Sequence, residues 1–268
     1  MKMRALMTGR ATLALGLAPG LALTGLLLAQ PARADQITVI TSGAFTAAYL
    51  QLAPDFEKST RHTLVTLFGA SMGSGPDTIP SRLERHESAD VVILAAPALD
   101  DLITRGLVVA GSRVDLVRSR IGMAVKAGAP RPDISSVEAL TRALIAAKSV
   151  AISSSASGVY LSTDLFPRLG VADQLKGKTQ VSLGNAGELV ASGAAEIGFQ
   201  QISELLPVAG IDYVGPLPSD VQRETVFSAG IVTGARAPAA AHALIAFLSS
   251  PAAAPLIAKS GLESIAHP

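Results

Sequence analysis

Cysteine is absent from this 268-residue sequence, and histidine occurs only four times. Without cysteine the chain has neither a disulfide nor a thiolate for nucleophilic or metal chemistry, and no thiol near the amino terminus that could carry a lipid anchor. The four histidines are scattered and lack the spacing of metal ligands. The sequence therefore predicts no metal and no other cofactor.

The amino terminus has the order of a secretory signal peptide. Lys2, Arg4 and Arg10 are followed by an apolar run over residues 11–29 and by the small-residue pattern at Ala32 and Ala34. We expect cleavage after Ala34, which makes residues 1–34 the signal peptide and the periplasm the predicted location. The alternative is an uncleaved membrane anchor, and Pro19-Gly20 in the middle of the run argue against it.

A basic stripe is also missing once the signal segment is removed. Basic residues fall from 22 to 18 against 21 acidic ones, so the formal charge of residues 35–268 is −3. This balance predicts no binding to nucleic acid or to an anionic membrane. An anionic ligand would have to be held by local geometry rather than by the overall charge.

A short apolar strand, a small-residue turn and an amphipathic helix recur along the chain. This alternation predicts an α/β fold with two lobes, each a mixed, mostly parallel sheet flanked by helices. We expect lobe 1 to comprise residues 35–118 and 228–268, and lobe 2 residues 119–227. A single doubly wound domain is the alternative. The predicted strands lie at 36–40, 64–68, 89–94, 120–126, 149–152, 196–200, 212–214 and 225–233.

Three loops rich in serine and glycine follow predicted strands, at 41–43, 69–75 and 153–158. Ligands of open α/β sheets bind at such strand ends, where hydroxyl groups, exposed backbone N–H groups and helix amino ends can solvate an anion. Ordinary turn and capping roles are the alternative. The predicted ligand-binding residues are Ser42, Gly43, Ser71, Met72, Ser74, Ser155, Ser157, Gly158 and Tyr160.

Four further polar residues lie near strand or helix ends of the second predicted lobe: Glu188, Gln200, Gln201 and Glu204. Each could face a ligand, and each could equally serve on the surface or as a cap. The sequence does not choose between these roles.

Three segments carry a resemblance to a known family. They are residues 37–71, the run SADVVILAAPALDDLITRGLV at 88–108, and the run GELVASGAAEIGFQQISELLP at 187–207. Together they resemble the type II periplasmic substrate-binding proteins, and within them the molybdate-binding group. The resemblance implies hinge closure around a small anion delivered to an ABC-type transporter, by a protein that we expect to be a monomer. In that family a serine usually stands directly before the Leu or Phe that opens the first helix, and the loop of the second lobe is not rich in serine. Here Ala44 takes the place of that serine and loop 153–158 is rich in serine, so a larger anion such as a carboxylate would also suit the site.

The same subgroup is similar to bacterial aconitate isomerases, which implies a second hypothesis. The first hypothesis is a solute receptor for an oxyanion or a carboxylate. The alternative is an isomerase that moves a proton within an unsaturated tricarboxylate, which requires an acid and a base close to the ligand. Glu188, Glu204, His86 and Tyr160 are candidate bases, and the sequence singles out none of them.

Overall fold

The structure, a computed structural model, describes residues 34–73 and 75–265. The predicted signal segment up to residue 33 and the predicted ligand-binding residue Ser74 therefore lie outside the described residues.

Eleven strands form within the described residues. Those expected from the sequence are present with small shifts at their ends, and three further ones, β4, β7 and β11, were not predicted. The strands are β1 (Gln36–Thr41), β2 (Thr63–Phe68), β3 (Val91–Ala95), β4 (Val114–Ser119), β5 (Ile121–Lys126), β6 (Val150–Ser153), β7 (Thr179–Ser182), β8 (Ile197–Gln201), β9 (Ile211–Pro216), β10 (Thr225–Ile231) and β11 (Glu263–Ser264).

The helices expected from the sequence are present with small shifts at their ends, and two further short ones, α7 and α9, were not predicted. A π-helical turn at Leu161–Leu165 joins the fifth to the sixth, so that the expected helix at 159–169 is one helical run. The helices are α1 (Gly43–Thr60), α2 (Ile79–Glu84), α3 (Ala96–Thr104), α4 (Val137–Ala146), α5 (Ala156–Tyr160), α6 (Phe166–Arg168), α7 (Ala172–Leu175), α8 (Ala186–Ala191), α9 (Ile202–Leu205), α10 (Pro238–Leu248) and α11 (Ala254–Lys259).

The strands make two mixed sheets, which confirms the α/β class. One has the order β11-β4-β10-β3-β1-β2 and the other β7-β6-β8-β5-β9. In each sheet the parallel pairs lie at one side, β2-β1-β3 and β7-β6-β8, and the remaining pairs are antiparallel. The sheets are mixed as expected, but the prediction that they are mostly parallel is wrong, because β10 and β5 each run antiparallel to both of their neighbours. The chain passes from the first sheet to the second at Arg120, between β4 and β5, and returns through residues 217–224 before β10.

Helix α1 shows how the sequence positions the first loop. Its buried residues recur at helical spacing, and they pack with the buried residues of β1 in the core of the first sheet. They are Ala44, Phe45, Ala48, Tyr49, Leu52 and Phe56. Strand β1 is an internal strand, with β2 and β3 paired on its two sides. The turn at Ser42 and Gly43 is therefore fixed at the carboxyl end of a buried strand.

Among the described residues no single helix is long and apolar enough to cross a membrane. Only the bent pair formed by α10 and the helical run Pro251–Lys259 passes that test together.

Asp90 joins three elements at the opposite end of the first sheet. Its carboxylate, which is 2 % exposed, accepts hydrogen bonds from the backbone N–H groups of Thr38 at 2.8 Å, Arg236 at 2.6 Å and Ala237 at 3.0 Å. Ala237 directly precedes α10. One side chain thus ties β1, the start of β3 and the amino end of α10 together.

We predict that Asp90→Ala lowers the free energy of unfolding by about 3 kcal/mol, because it leaves three inward-facing N–H groups without an acceptor. Urea denaturation measures this change. Asp101→Ala is the matched control: it removes only an exposed pair with Arg105 on α3 and should cost at most about 0.5 kcal/mol. Equal losses in the two variants would contradict the role given to Asp90.

Candidate functional site

The carboxyl ends of β1, β2, β6 and β8 meet in a cleft of about 860 Å³ that is lined by residues of both sheets. The three predicted loops all contribute to it. The end of β8 and the turn of α9 form a fourth part of its wall.

Ser42 contributes the first donor. Its backbone N–H donates to the carbonyl of Ile93 at 2.8 Å, which fixes the turn against β3. It occupies the N-cap position of α1 in an extended conformation, yet its side chain makes no capping hydrogen bond. The hydroxyl group is 2 % exposed and has no hydrogen-bond partner. It is therefore free to donate to a ligand at the amino end of an 18-residue helix.

Ser71 contributes a donor from the loop at residues 69–75. Its hydroxyl oxygen accepts a hydrogen bond from the N–H of Ala95 at 3.0 Å, and the side chain is 1 % exposed. A hydroxyl group that accepts in this way keeps its own proton for another acceptor. Ser71 can thus donate into the cleft while β3 holds it in place.

The third loop presents its serines from the second sheet. Ser155 is the N-cap of α5 and makes no side-chain capping bond, while the hydroxyls of Ser153 and Ser157 lie 3.1 Å apart. Gly158 has a different role, because a Cβ atom there would overlap the carbonyl of Ser153. Its small size lets α5 start close against β6.

The fourth part of the wall lies at residues 200–204. Gln201 accepts a hydrogen bond at Oε1 from the hydroxyl of Ser119 at 2.8 Å, whereas its Nε2 has no partner. Ser203 is 1 % exposed, and its hydroxyl also lacks a partner. Together with Ser42, three buried donors that line the cleft are without an acceptor, each of which costs about 1–3 kcal/mol until one is provided.

Glu204 directly follows Ser203 and lines the same cleft. Its carboxyl oxygen Oε1 accepts a hydrogen bond from Nε2 of Gln200 at 2.8 Å. It also occupies the space in which a side chain of Gly43 would lie, at the first residue of α1. Glu204 is enclosed by protein on most sides and keeps part of its surface open to the cleft.

Burial raises the pKa of Glu204 to about 7 from an ordinary value of 4.5, and the hydrogen bond from Gln200 opposes part of this increase. A carboxyl group with this pKa exchanges its proton near neutral pH. It can therefore act as a base and return the proton as an acid.

The charge of the cleft is unusual for an anion site. Its described lining residues include three acids, Asp77, Glu188 and Glu204, and no Lys, Arg or His. The side chain of Asp77 is 84 % exposed, and Glu188 is exposed as well. Neutral donors and the amino end of α1 would have to replace the water shell of an anion.

Large apolar side chains line the cleft from both sheets. On the side of the first sheet, Leu50 lies on α1 and Phe68 ends β2. On the side of the second sheet, Val181 lies in the edge strand β7 and Leu183 directly follows it. Half or more of each side chain is exposed. Bringing the two walls together would bury these surfaces, and burial of apolar area is favourable.

Not all predicted residues reach the cleft. The structure brings together Ser42, Gly43, Ser71, Ser155, Ser157 and Gly158. Met72 packs against the core instead. Tyr160 is buried away from the cleft, where its hydroxyl donates to the carbonyl of Val221 at 2.8 Å and accepts from Arg168 at 3.0 Å.

His86, a candidate base, lies elsewhere. It borders a separate depression of about 400 Å³ near the amino end of β3, together with Asp90 and Arg236. The carboxylate of Asp90 is already used by three backbone N–H groups, and none of the unpaired donors of the main cleft borders this depression. The remaining candidates, Glu188 and Glu204, both line the main cleft.

Two of the relatives found by sequence comparison are similar over nearly their full length. The chain is 46% identical over 255 residues to an aconitate isomerase from a Pseudomonas species, which covers 95% of this chain and 96% of that one. It is 27% identical over 246 residues to a molybdate-binding protein from Azotobacter vinelandii, with 88% of this chain and 92% of the relative covered.

Solved structures share the fold. The periplasmic molybdate-binding protein of Azotobacter vinelandii superposes with a TM-score of 0.68 at 22% identity, covering 84% of this chain and 98% of that one. The sulfate-binding protein of Mycobacterium tuberculosis gives 0.65 at 18% identity, with 86% and 87% covered. The resemblance to type II periplasmic binding proteins is thereby confirmed. The model of a bacterial extracellular solute-binding protein family matches residues 37–263, and the chain belongs to that family.

Proposed function

We propose that this protein is an exported isomerase that interconverts cis- and trans-aconitate, with Glu204 as the group that moves the proton. The observation that carries the proposal is the position of Glu204, a carboxyl group with a pKa of about 7 beside three buried donors that lack an acceptor. The aconitate isomerase that is 46% identical to this chain supports the choice of substrate.

The chemistry needs a proton transfer and no change of oxidation state. Removing a proton from the methylene carbon of aconitate leaves a carbanion that is shared by the two ends of a three-carbon system. Returning the proton to the other end shifts the double bond, and the conformation held at that moment decides whether it is cis or trans. A single base that takes the proton and gives it back balances the reaction.

The donors of the cleft suit the charge that forms in this step. Negative charge spreads from the carbanion onto the neighbouring carboxylate oxygens, and preorganised donors stabilise it more effectively than water. Ser42, Gln201 and Ser203 offer free donors, and Ser71 offers a hydroxyl proton. Closure of the apolar walls would exclude water from the carbanion.

The second candidate is an anion receptor that works without chemistry and serves an ABC-type transporter. Membership of a solute-binding family favours it, and the donors alone would suffice for binding. A receptor gives no reason for a titrating carboxyl group in the wall of the cleft, because its negative charge would repel the ligand. For this reason we place the isomerase first.

The signal peptide and the lobes complete the proposal. Residues 1–34 would direct export to the periplasm. The two sheets would act as lobes with the predicted bounds, 35–118 with 228–268 and 119–227, that close around the ligand by a hinge at the two crossing segments.

We predict that purified residues 35–268 convert cis-aconitate into the trans isomer, and that Glu204→Gln lowers kcat at least about 100-fold, because it removes the base while keeping the shape. Proton NMR of the two isomers measures the rate. Glu188→Gln, which changes the exposed carboxylate of the same cleft, should retain activity within about threefold. If the wild-type protein binds aconitate tightly without turnover, the receptor is the correct function.

We also predict that Ser42→Ala and Ser71→Ala each weaken trans-aconitate binding by about 1–3 kcal/mol, since each leaves a bound carboxylate oxygen without a donor. Titration calorimetry measures the affinity. Ser192→Ala is the control, because Ser192 is exposed and donates only to the carbonyl of Leu189. Unchanged affinity in both cleft variants would remove these loops from the site.

A third prediction concerns stability. The folded protein retains the proton of Glu204 up to a pH of about 7, whereas the unfolded chain releases it near 4.5, so this group makes stability fall as the pH rises through that window. The neutral variant Glu204→Gln should therefore be more stable than the wild type by about 1–3 kcal/mol at about pH 8 and nearly equal at about pH 4. Urea denaturation at the two pH values measures the difference. A difference that does not change with pH would argue against a raised pKa.

A further inference from the structure

Gln200 lies between the amino end of α8 and the carboxyl group of Glu204. It is the fourth residue of β8 and is 2 % exposed. Its Oε1 accepts a hydrogen bond from the N–H of Ala186 at 2.5 Å, and its Nε2 donates to Oε1 of Glu204 at 2.8 Å. Because the first bond requires an oxygen at that end, the amide has only one orientation, which directs its N–H towards Glu204.

The backbone of Glu204 is held by the same helix end. Asn185, the N-cap of α8, accepts from the N–H of Gly187 at 2.8 Å and donates through Nδ2 to the carbonyl of Glu204 at 2.7 Å. Asn185 therefore restrains the backbone carbonyl of Glu204 directly, and Ala186 restrains the carboxyl group of Glu204 through Gln200. On the opposite side, the absence of a side chain at Gly43 leaves room for the carboxyl group.

We propose that Gln200 is a positioning residue of the isomerase, which holds the carboxylate of Glu204 over the amino end of α1 and favours its charged form. The inference rests on the proposed function and goes beyond it by assigning a role to a residue that does not itself transfer the proton. An N–H donor favours the ionised carboxyl group, whereas burial favours the neutral one. Gln200 supplies this N–H donor and therefore favours the ionised form of Glu204.

Other charged groups do not replace Gln200. The elements packed against α9 are α1, α8, β5 and β8. Among their described residues, only Glu188 on α8 shares the cleft with Glu204, and the cleft itself adds Asp77. The remaining charged residues of these elements lie away from the cleft: Asp55, Glu57, Lys58 and Lys126. Burial is the cause that raises the pKa of Glu204, and the donor of Gln200 acts against it.

The test replaces Gln200 by Met, which has similar length and no amide. We expect the acid limb of the pH–kcat/KM profile to move to higher pH by about one unit in Gln200→Met, because the carboxylate loses its donor. The rate at high pH should recover to within about tenfold of the wild type, which a purely structural defect would not allow. If the acid limb of the Gln200→Met profile lies at the same pH as that of the wild type, the proposal is wrong.

A readout without turnover keeps this test separate from the proposed function. Carbon NMR of the Glu204 carboxyl group follows its titration directly, with the signal assigned by its loss in Glu204→Gln. A midpoint that rises by about one unit in Gln200→Met supports the positioning role even if the protein shows no isomerase activity. A midpoint that is the same in both proteins overturns it.

Gly43→Ala tests the same placement from the other wall of the cleft. The new methyl group would overlap the carboxyl group of Glu204, whose flexible side chain can move away, so the protein should still fold. We expect kcat to fall about tenfold or more, with the thermal midpoint unchanged or raised, because alanine is the better helix residue. Wild-type kcat in this variant would show that the carboxyl group does not need its place at α1.

Discussion

Buried hydrogen-bond donors without acceptors are the constraint on which the cleft depends. The hydroxyls of Ser42 and Ser203 and the amide nitrogen Nε2 of Gln201 are shielded from water, and none of these three donors has a protein partner. Two of them are fixed by hydrogen bonds to their surroundings: the backbone of Ser42 by β3, and the side chain of Gln201 by the hydroxyl of Ser119, which ends β4. The protein thus carries an energetic cost that an anionic ligand would relieve. The absence of Lys, Arg and His from the described lining makes these neutral donors the main attraction for an anion.

Glu204 adds a second unfavourable contribution to the folding free energy in the same cleft. Burial favours its neutral form, Gln200 favours its charged form, and the balance brings its pKa to about 7. A residue selected only for stability would avoid this position. Active sites commonly retain such groups because function requires them, at the expense of folding free energy. Gly43 is part of the same arrangement, since only a residue without a side chain leaves room for the carboxyl group at the start of α1.

The sequence predicts the fold and about half of the site. Alternation of apolar strands and helices is a local pattern, so β1, α1 and the serine loops that follow the strands could be located in advance. The edge strand β7 is short and half-exposed, and β4 contains Asp115 and Arg118, so neither has a clear strand pattern. Both form because a neighbouring strand supplies hydrogen bonds. Tyr160 also shows the limit of local patterns, because its contact with Val221 depends on a segment 61 residues away.

The acid–base residue could not be chosen from the sequence for a related reason. Gln200, Gln201 and Glu204 have the composition of an ordinary surface turn, although their position directly after the buried strand β8 is a usable signal. What distinguishes Glu204 from Glu188 is its contact with Gly43, which lies far away in the chain, and its enclosure by that contact. The composition of the serine loops is enough to predict an anion site. The pKa of a carboxyl group, in contrast, depends on its neighbours in space, which the sequence does not show.

A crystal structure of the Glu204→Gln variant with trans-aconitate would test the central claim most directly, because this variant should bind the ligand without turning it over. The account predicts carboxylate oxygens of the ligand within hydrogen-bonding distance of Ser42, Gln201 and Ser203, and an allylic carbon about 3–3.5 Å from the side chain at position 204. A ligand bound in the cleft with these donors still unpaired, or with its three-carbon system turned away from position 204, would contradict it.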